Sequence, residues 1–226
     1  MWRDVRLALL ACLVALTGCA SLDRTQRYLA LGDSYTIGEG VAESGRWPTQ
    51  LAALLRADGL PVEDPRIVAR TGWTVSELDA AMDTGSLEPP YDLVTLLIGV
   101  NDQYRRGAVE TYRTDLRAML SRSIALADAQ PRRVLLVSIP DWGVTAFAQK
   151  DARGPTVIGG EIDAFNKVAR EEARRAGIVF VDITDVSRSI AHRAELVEDG
   201  LHPSAAQYRA WAMRVAPAAR TALDAP

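Results

Sequence analysis

Residues 91–99 read YDLVTLLIG. After Asp92 this run is nearly continuously apolar, rich in leucine, valine and isoleucine, with Thr95 its one polar residue and no alternation. A strand with one wet face alternates; a strand covered on both faces does not, and parallel sheets sandwiched between helices are built from such strands. Reading outward in both directions gives the same grammar. Toward the C-terminus a long helical segment, about 107–130, leads to RRVLLVSIP (132–140), a strand that Pro140 ends. Another helix spans 158–176 and GIVFVDIT (177–184) forms a further strand, before a last helix opening at SAAQ with Ser204 and Gln207 spaced as a capping box. Toward the N-terminus, PRIVAR (65–70) and RYLALG (27–32) read as strands. Between them TQLAALLRAD keeps helical spacing behind Pro48, a residue the first helical turn tolerates. A helix after Thr74 is marked by its own capping box to Glu77. Five strands separated by helices of ten or more residues describe one α/β domain around a parallel sheet.

Such a sheet places ligands at the carboxyl ends of its strands, so chemistry-bearing residues are sought there. The scarcest candidate comes first, because the chain has two histidines, His192 and His202. His192 lies in the polar, charged stretch SRSIAHRAELVEDG and reads as a solvated residue. His202 lies in EDGLHPSAAQ, where Pro203 stops a helix from running back through it and Gly200 permits a tight turn. Asp199, three residues earlier, can reach one ring nitrogen, fix the tautomer and stabilise an imidazolium; equally, it can cap a turn in which His202 is only a turn residue. Ser34 follows the first strand in GDSYTIGEG. Asp33 and Ser34 both suit a helix N-cap, and a capping serine can also be a nucleophile if a base takes its proton. Gly72, in ARTGWT, and Asn101, in IGVNDQY, follow two other strands. Each is a plain turn or helix-start residue, or a donor to a developing oxyanion.

Taken together, GDS at 32–34, Gly72, GVND at 99–102 and DGLHP at 199–203 resemble, in order and spacing, the four sequence blocks of the SGNH or GDSL hydrolases. The resemblance covers most of the chain. It implies a flavodoxin-like three-layer α/β/α fold with a five-stranded parallel sheet, and a Ser34, Asp199, His202 triad. It also implies an oxyanion hole from the backbone N–H groups of Ser34 and Gly72 and the side chain of Asn101. The activity implied is hydrolysis of a small ester through an acyl-enzyme, with no cofactor and no metal. The family's substrates range from lysophospholipids and aryl esters to acylated carbohydrates. A sugar O-acyltransferase or a non-catalytic envelope-binding protein would retain the same fold. Thr36 stands where the α/β-hydrolase elbow G-x-S-x-G has its second glycine, so that pattern is absent. Tyr35, Ile37, Trp73, Tyr104 and Trp142 are candidates for a substrate pocket, or are packing residues.

The N-terminal residues form a separate unit. Arg3 and Arg6 precede an apolar run from about Leu7 to Leu16, the shape of a secretory signal. LTGC (16–19) resembles the bacterial lipobox, which implies lipidation of Cys19. The expected organisation is a lipoprotein signal over 1–18, a tether over 19–26 and the hydrolase domain over 27–226, held to a membrane outside the cytoplasm. Removing 1–18 takes away Arg3, Arg6 and Asp4, leaving the rest one unit more negative than the −3 of the whole chain. Cys12 and Cys19 are the only cysteines, so the domain after 19 has no disulfide or thiol chemistry. With acids and bases interspersed and no basic block, nucleic-acid binding finds no support.

Overall fold

The computed structural model describes residues 24–189 and 195–224. The signal segment, Cys19 and His192 lie outside these described residues. Five strands, β1 (Tyr28–Gly32), β2 (Arg66–Ala69), β3 (Leu93–Leu97), β4 (Val134–Val137) and β5 (Val179–Val181), form one parallel sheet in the order β2-β1-β3-β4-β5. This is the flavodoxin-like α/β order that the family resemblance implied. β1 and β3 sit inside the sheet, pairing Tyr28 with Leu93 through Gly32 with Leu97, and every residue of both is buried. The nearly continuous apolar run at 91–99 therefore has its physical cause in helices on both sides, and its buried Thr95 is paired with the Tyr28 hydroxyl.

Eight helices cover the sheet among the described residues: α1 (Ser34–Ile37), α2 (Trp47–Ala57), α3 (Val75–Thr84), α4 (Val100–Tyr104), α5 (Val109–Leu126), α6 (Gly154–Ala176), α7 (Thr184–Arg188) and α8 (Ala205–Asp224). Right-handed crossovers send the connection β1–α2–β2 to one face and the later crossovers, which run the other way across the sheet, to the opposite face. Accordingly α2 packs against α8, while α3 packs on α5 and α5 on α6. Trp47, Leu51 and Leu55 from α2 and Tyr208, Trp211 and Val215 from α8 are fully buried in the layer they share.

Several local expectations shift. The helix expected over 107–130 stops at Leu126, because the chain turns left-handed at Asp128 and Ala129 (φ 58° and 55°). The helix expected from 158 begins four residues earlier, with Pro155 in its first turn, where a missing N–H costs nothing. The capping box at Thr74 is complete: Glu77 N–H donates to the threonine hydroxyl and the Thr74 N–H to Glu77 Oε2. The one at Ser204 is half made. Gln207 N–H donates to Ser204 Oγ at 3.3 Å, but the Gln207 side chain donates instead to the Val186 carbonyl, tying α8 to α7.

Candidate active site

Sheet order reverses between β1 and β3: one connection leaves toward β2, the other toward β4 and β5. Loops after these two strands diverge and leave a crevice, the usual ligand position in open α/β sheets. Ser34, Gly72, Val100 and Asn101 all lie just beyond strand ends at this crevice. Gly32 ends β1 where a Cβ would stand 2.2 Å from Thr36 Oγ1 and 2.4 Å from the Leu97 carbonyl oxygen, so no side chain fits. The next residue, Asp33, is the N-cap of α1, its Oδ1 accepting the Tyr35 N–H at 3.0 Å. Ser34 is thereby relieved of the capping role open to it in the sequence, and lines the cavity.

On the far side, His202 is buried in the loop before α8. Its Nδ1 lies 2.5 Å from Asp199 Oδ2, and Asp199 Oδ1 accepts the backbone N–H of Leu201 and of His202 at 2.8 and 2.9 Å. Partial burial raises the Asp199 carboxyl, but hydrogen bonds from the imidazole and the two backbone amides outweigh it and hold the group below its ordinary range. An ionised Asp199 requires the proton on Nδ1, which leaves Nε2 as the acceptor nitrogen. The imidazole also lies against Tyr35, ring centroids 5.3 Å apart, and Tyr35 in turn packs on Trp211, so the core reaches the loop directly.

The 71–75 segment is clamped from α4. Asn101 Nδ2 donates to the Trp73 carbonyl at 2.9 Å, Arg105 Nη2 to the Gly72 carbonyl at 2.7 Å, and Asp102 Oδ2 accepts the Val75 N–H at 3.2 Å. An amide nitrogen carries two hydrogens, so Asn101 keeps one donor after binding Trp73. Gly72 has φ +88°, a left-handed conformation that a β-carbon strains. Burial pushes two carboxyls upward here: Asp33, fully enclosed, to about 8, and Asp102 to about 6.

Ser34, Tyr35, Thr71, Gly72, Val100, Asn101, Tyr104, Trp142, Phe147, Leu201 and His202 line one cavity of about 150 Å³. Ser34, Gly72, Asn101 and His202, drawn from four chain segments, thus meet, with Asp199 behind the histidine. Of the expected pocket residues, Tyr35, Tyr104 and Trp142 belong to the lining. Ile37 is half-buried outside it, and Trp73 packs on the core. Sequence reasoning did not single out Thr71, Val100, Phe147 or Leu201. Thr71, Val100 and Leu201 each adjoin a singled-out residue, which was the available signal; Phe147 opens a single 3-10 turn, Phe147–Lys150, too short to show a period. A larger depression of about 1100 Å³ lies away from these residues, and three of the four arginines lining it, 170, 188 and 214, are engaged by Asp182, by Asp141 and Asp163, and by Asp185.

The model of the GDSL-like Lipase/Acylhydrolase family matches residues 30–210. Among curated proteins none matches the chain. Solved structures resemble it: TesA at 23% identity, covering 88% of this chain and 100% of that one with a TM-score of 0.69. The lipase/acylhydrolase of Enterococcus faecalis is 20% identical over 85% and 94% of the two chains, TM-score 0.67. Axe2, an acetylxylan esterase from Geobacillus stearothermophilus, is 21% identical over 89% and 95%, TM-score 0.62. At such identities the likeness is one of fold.

Proposed function

Because the chain belongs to the GDSL-like lipase/acylhydrolase family and is an ester-hydrolysing enzyme, we propose that Ser34 is its nucleophile, His202 its general base and acid, and Asp199 the group that orients the histidine. The observation carrying this reading is that Ser34 and His202 open into one cavity while Asp199 occupies the other ring nitrogen. A serine hydroxyl attacks poorly until its proton is taken. His202 Nε2 takes it as Ser34 Oγ bonds to the ester carbonyl carbon. The carbonyl oxygen gains negative charge and is met by the N–H groups of Ser34 and Gly72 and the remaining Asn101 amide hydrogen. Donors held in place before the reaction stabilise that charge without reorganising. The clamp on 71–75 from Asn101, Arg105 and Asp102 supports such fixity. Collapse expels the alcohol, which leaves with the proton from Nε2. Water, deprotonated by the same nitrogen, then releases the acid and restores Ser34. The substrates are small carboxylic esters. The LTGC segment supports a further reading, that Cys19 carries a lipid holding the domain at a membrane outside the cytoplasm, with 1–18 as signal and 19–26 as tether.

Ser34→Ala should lower kcat by roughly 10³-fold or more while the domain stays folded, since triad members act as a unit. A fluorophosphonate should label the native chain at Ser34. A folded Ser34→Ala protein with near-native esterase activity would overturn the assignment.

A further inference from the structure

The cavity's far wall is unusually well fastened for a loop. Tyr104, Trp142 and Phe147 meet there with ring centroids 5.4, 6.1 and 6.3 Å apart. Trp142 is buried, and its indole N–H donates to Gln103 Oε1 at 2.7 Å. Gln103, itself buried on α4 two residues after Asn101, donates its amide to Glu161 Oε2 at 2.6 Å. Glu161 also accepts Arg153 Nη1 at 2.8 Å, and the Arg153 guanidinium lies over the Trp142 ring, 5.3 Å from its centroid. Asp151 holds Arg153 through its backbone N–H, Nε and Nη2. Swinging the indole away breaks a charge-assisted chain that runs from the β4 loop to α6 and back to α4.

What the wall closes off follows from the reaction geometry. The ester carbonyl is pinned between Ser34, Gly72 and Asn101. The alcohol departs where His202 can protonate it, and the acyl chain is placed against the apolar side chains of the cavity, Val100, Tyr104, Trp142 and Phe147. The whole cavity, polar reacting side included, measures about 150 Å³, room for a molecule of benzene size, about six heavy atoms. We propose that this enzyme takes esters of short acyl groups, of about two to four carbons, and that Trp142, held in place by Gln103, sets that limit. Gln103 is a positioning residue: it acts through the indole and does not touch the ester. This inference rests on Ser34 being the nucleophile.

The test is a series of 4-nitrophenyl esters from acetate to decanoate, assayed on native protein and on Trp142→Ala, Phe147→Ala and Gln103→Leu. The readout is the ratio of kcat/KM for octanoate to that for acetate, in which any loss of folded protein cancels. Native protein should favour acetate and butyrate over octanoate by ~10-fold or more, the scale at which a hydrophobic pocket discriminates by size. Trp142→Ala and the half-buried Phe147→Ala should each raise the ratio by about 10-fold. Gln103→Leu, which keeps the indole but removes its acceptor, should raise it in the same direction. Native protein that hydrolyses octanoate as well as acetate overturns the proposal. So does a ratio unmoved in Trp142→Ala and Phe147→Ala. Fluorophosphonate labelling separates the layers: Ser34 labelled with an unmoved ratio defeats the length limit alone, whereas no labelling and no turnover defeats the nucleophile assignment with it.

Discussion

Asp33 is a carboxyl group enclosed on all sides, with Oδ1 on the Tyr35 amide and no hydrogen-bond partner for Oδ2 among the described residues. Burial, aided by the nearby Asp102 charge and opposed by the Tyr35 amide, lifts it from 3.8 to about 8. A carboxyl raised by folding binds more protons in the folded state, so its drag on stability grows from about pH 4 to pH 8 and then levels off. Asp33→Asn keeps the capping oxygen and removes the ionisation. It should raise Tm by roughly 5 °C or more at pH 8–9, with the gain shrinking toward zero at pH 4, as thermal melts across pH will read. Little of this was legible in the sequence. Asp33 and Ser34 are equally good caps on paper, and only the φ and ψ angles after β1 assign the cap to one and free the other. The pairing of Asp199 with His202 was half legible: three residues put the imidazole within a carboxylate's reach, but the same spacing suits a turn cap, and Asp199 does both.

At the level of elements, α5 and α6 are stitched by Glu172, whose carboxylate accepts Arg117 Nε and Nη2 and Arg113 Nη1 between 2.8 and 3.1 Å. Hydrogen bonds from Arg117 lower the carboxyl to about 2, against a smaller opposing effect of burial. Its contribution is therefore present above about pH 4.5 and lost as the pH falls toward 2. Because Arg117 is half exposed, the effect is moderate. Glu172→Gln should lower Tm by roughly 2–6 °C at pH 7, with the difference closing in melts run near pH 3. Long elements such as α5, α6 and β3 were readable because several turns or a full buried run supply a pattern. The single-turn helices α1, α4 and α7 were not, since four or five residues hold no period to detect. Gln207 went astray for a related reason. Its spacing to Ser204 is that of a capping box, but tertiary packing offered its side chain the Val186 carbonyl instead.

For the molecule as a whole, strand–helix alternation implied the parallel sheet and the family resemblance its order, whereas of the cavity's far wall Tyr104 and Trp142 were legible as candidates and the residues that brace them were not. Trp142, Phe147, Gln103 and Glu161 come from three segments, and no local pattern announces that they meet. Membrane attachment through Cys19, the remaining proposal at this scale, is open to direct measurement. Expressed in a bacterial host with an alkyne-labelled palmitate, the native chain should take up label and partition into detergent, and Cys19→Ser should do neither. A native chain cleaved, unlabelled and wholly aqueous would identify 1–18 as a plain secretory signal instead.

The proposed nucleophile follows the first strand and its base precedes the last helix, with nearly the whole sheet between them. Synthesis delivers these partners at opposite ends of translation. A nascent chain displays Ser34 early, but the base and oxyanion donors are not assembled until β3, β5 and the 199–202 loop have emerged and folded. The unfinished polypeptide is thus chemically mute, and activity switches on as a late event in biogenesis. Under the proposed export signal at 1–18, that timing keeps the hydrolase silent until its passage is complete.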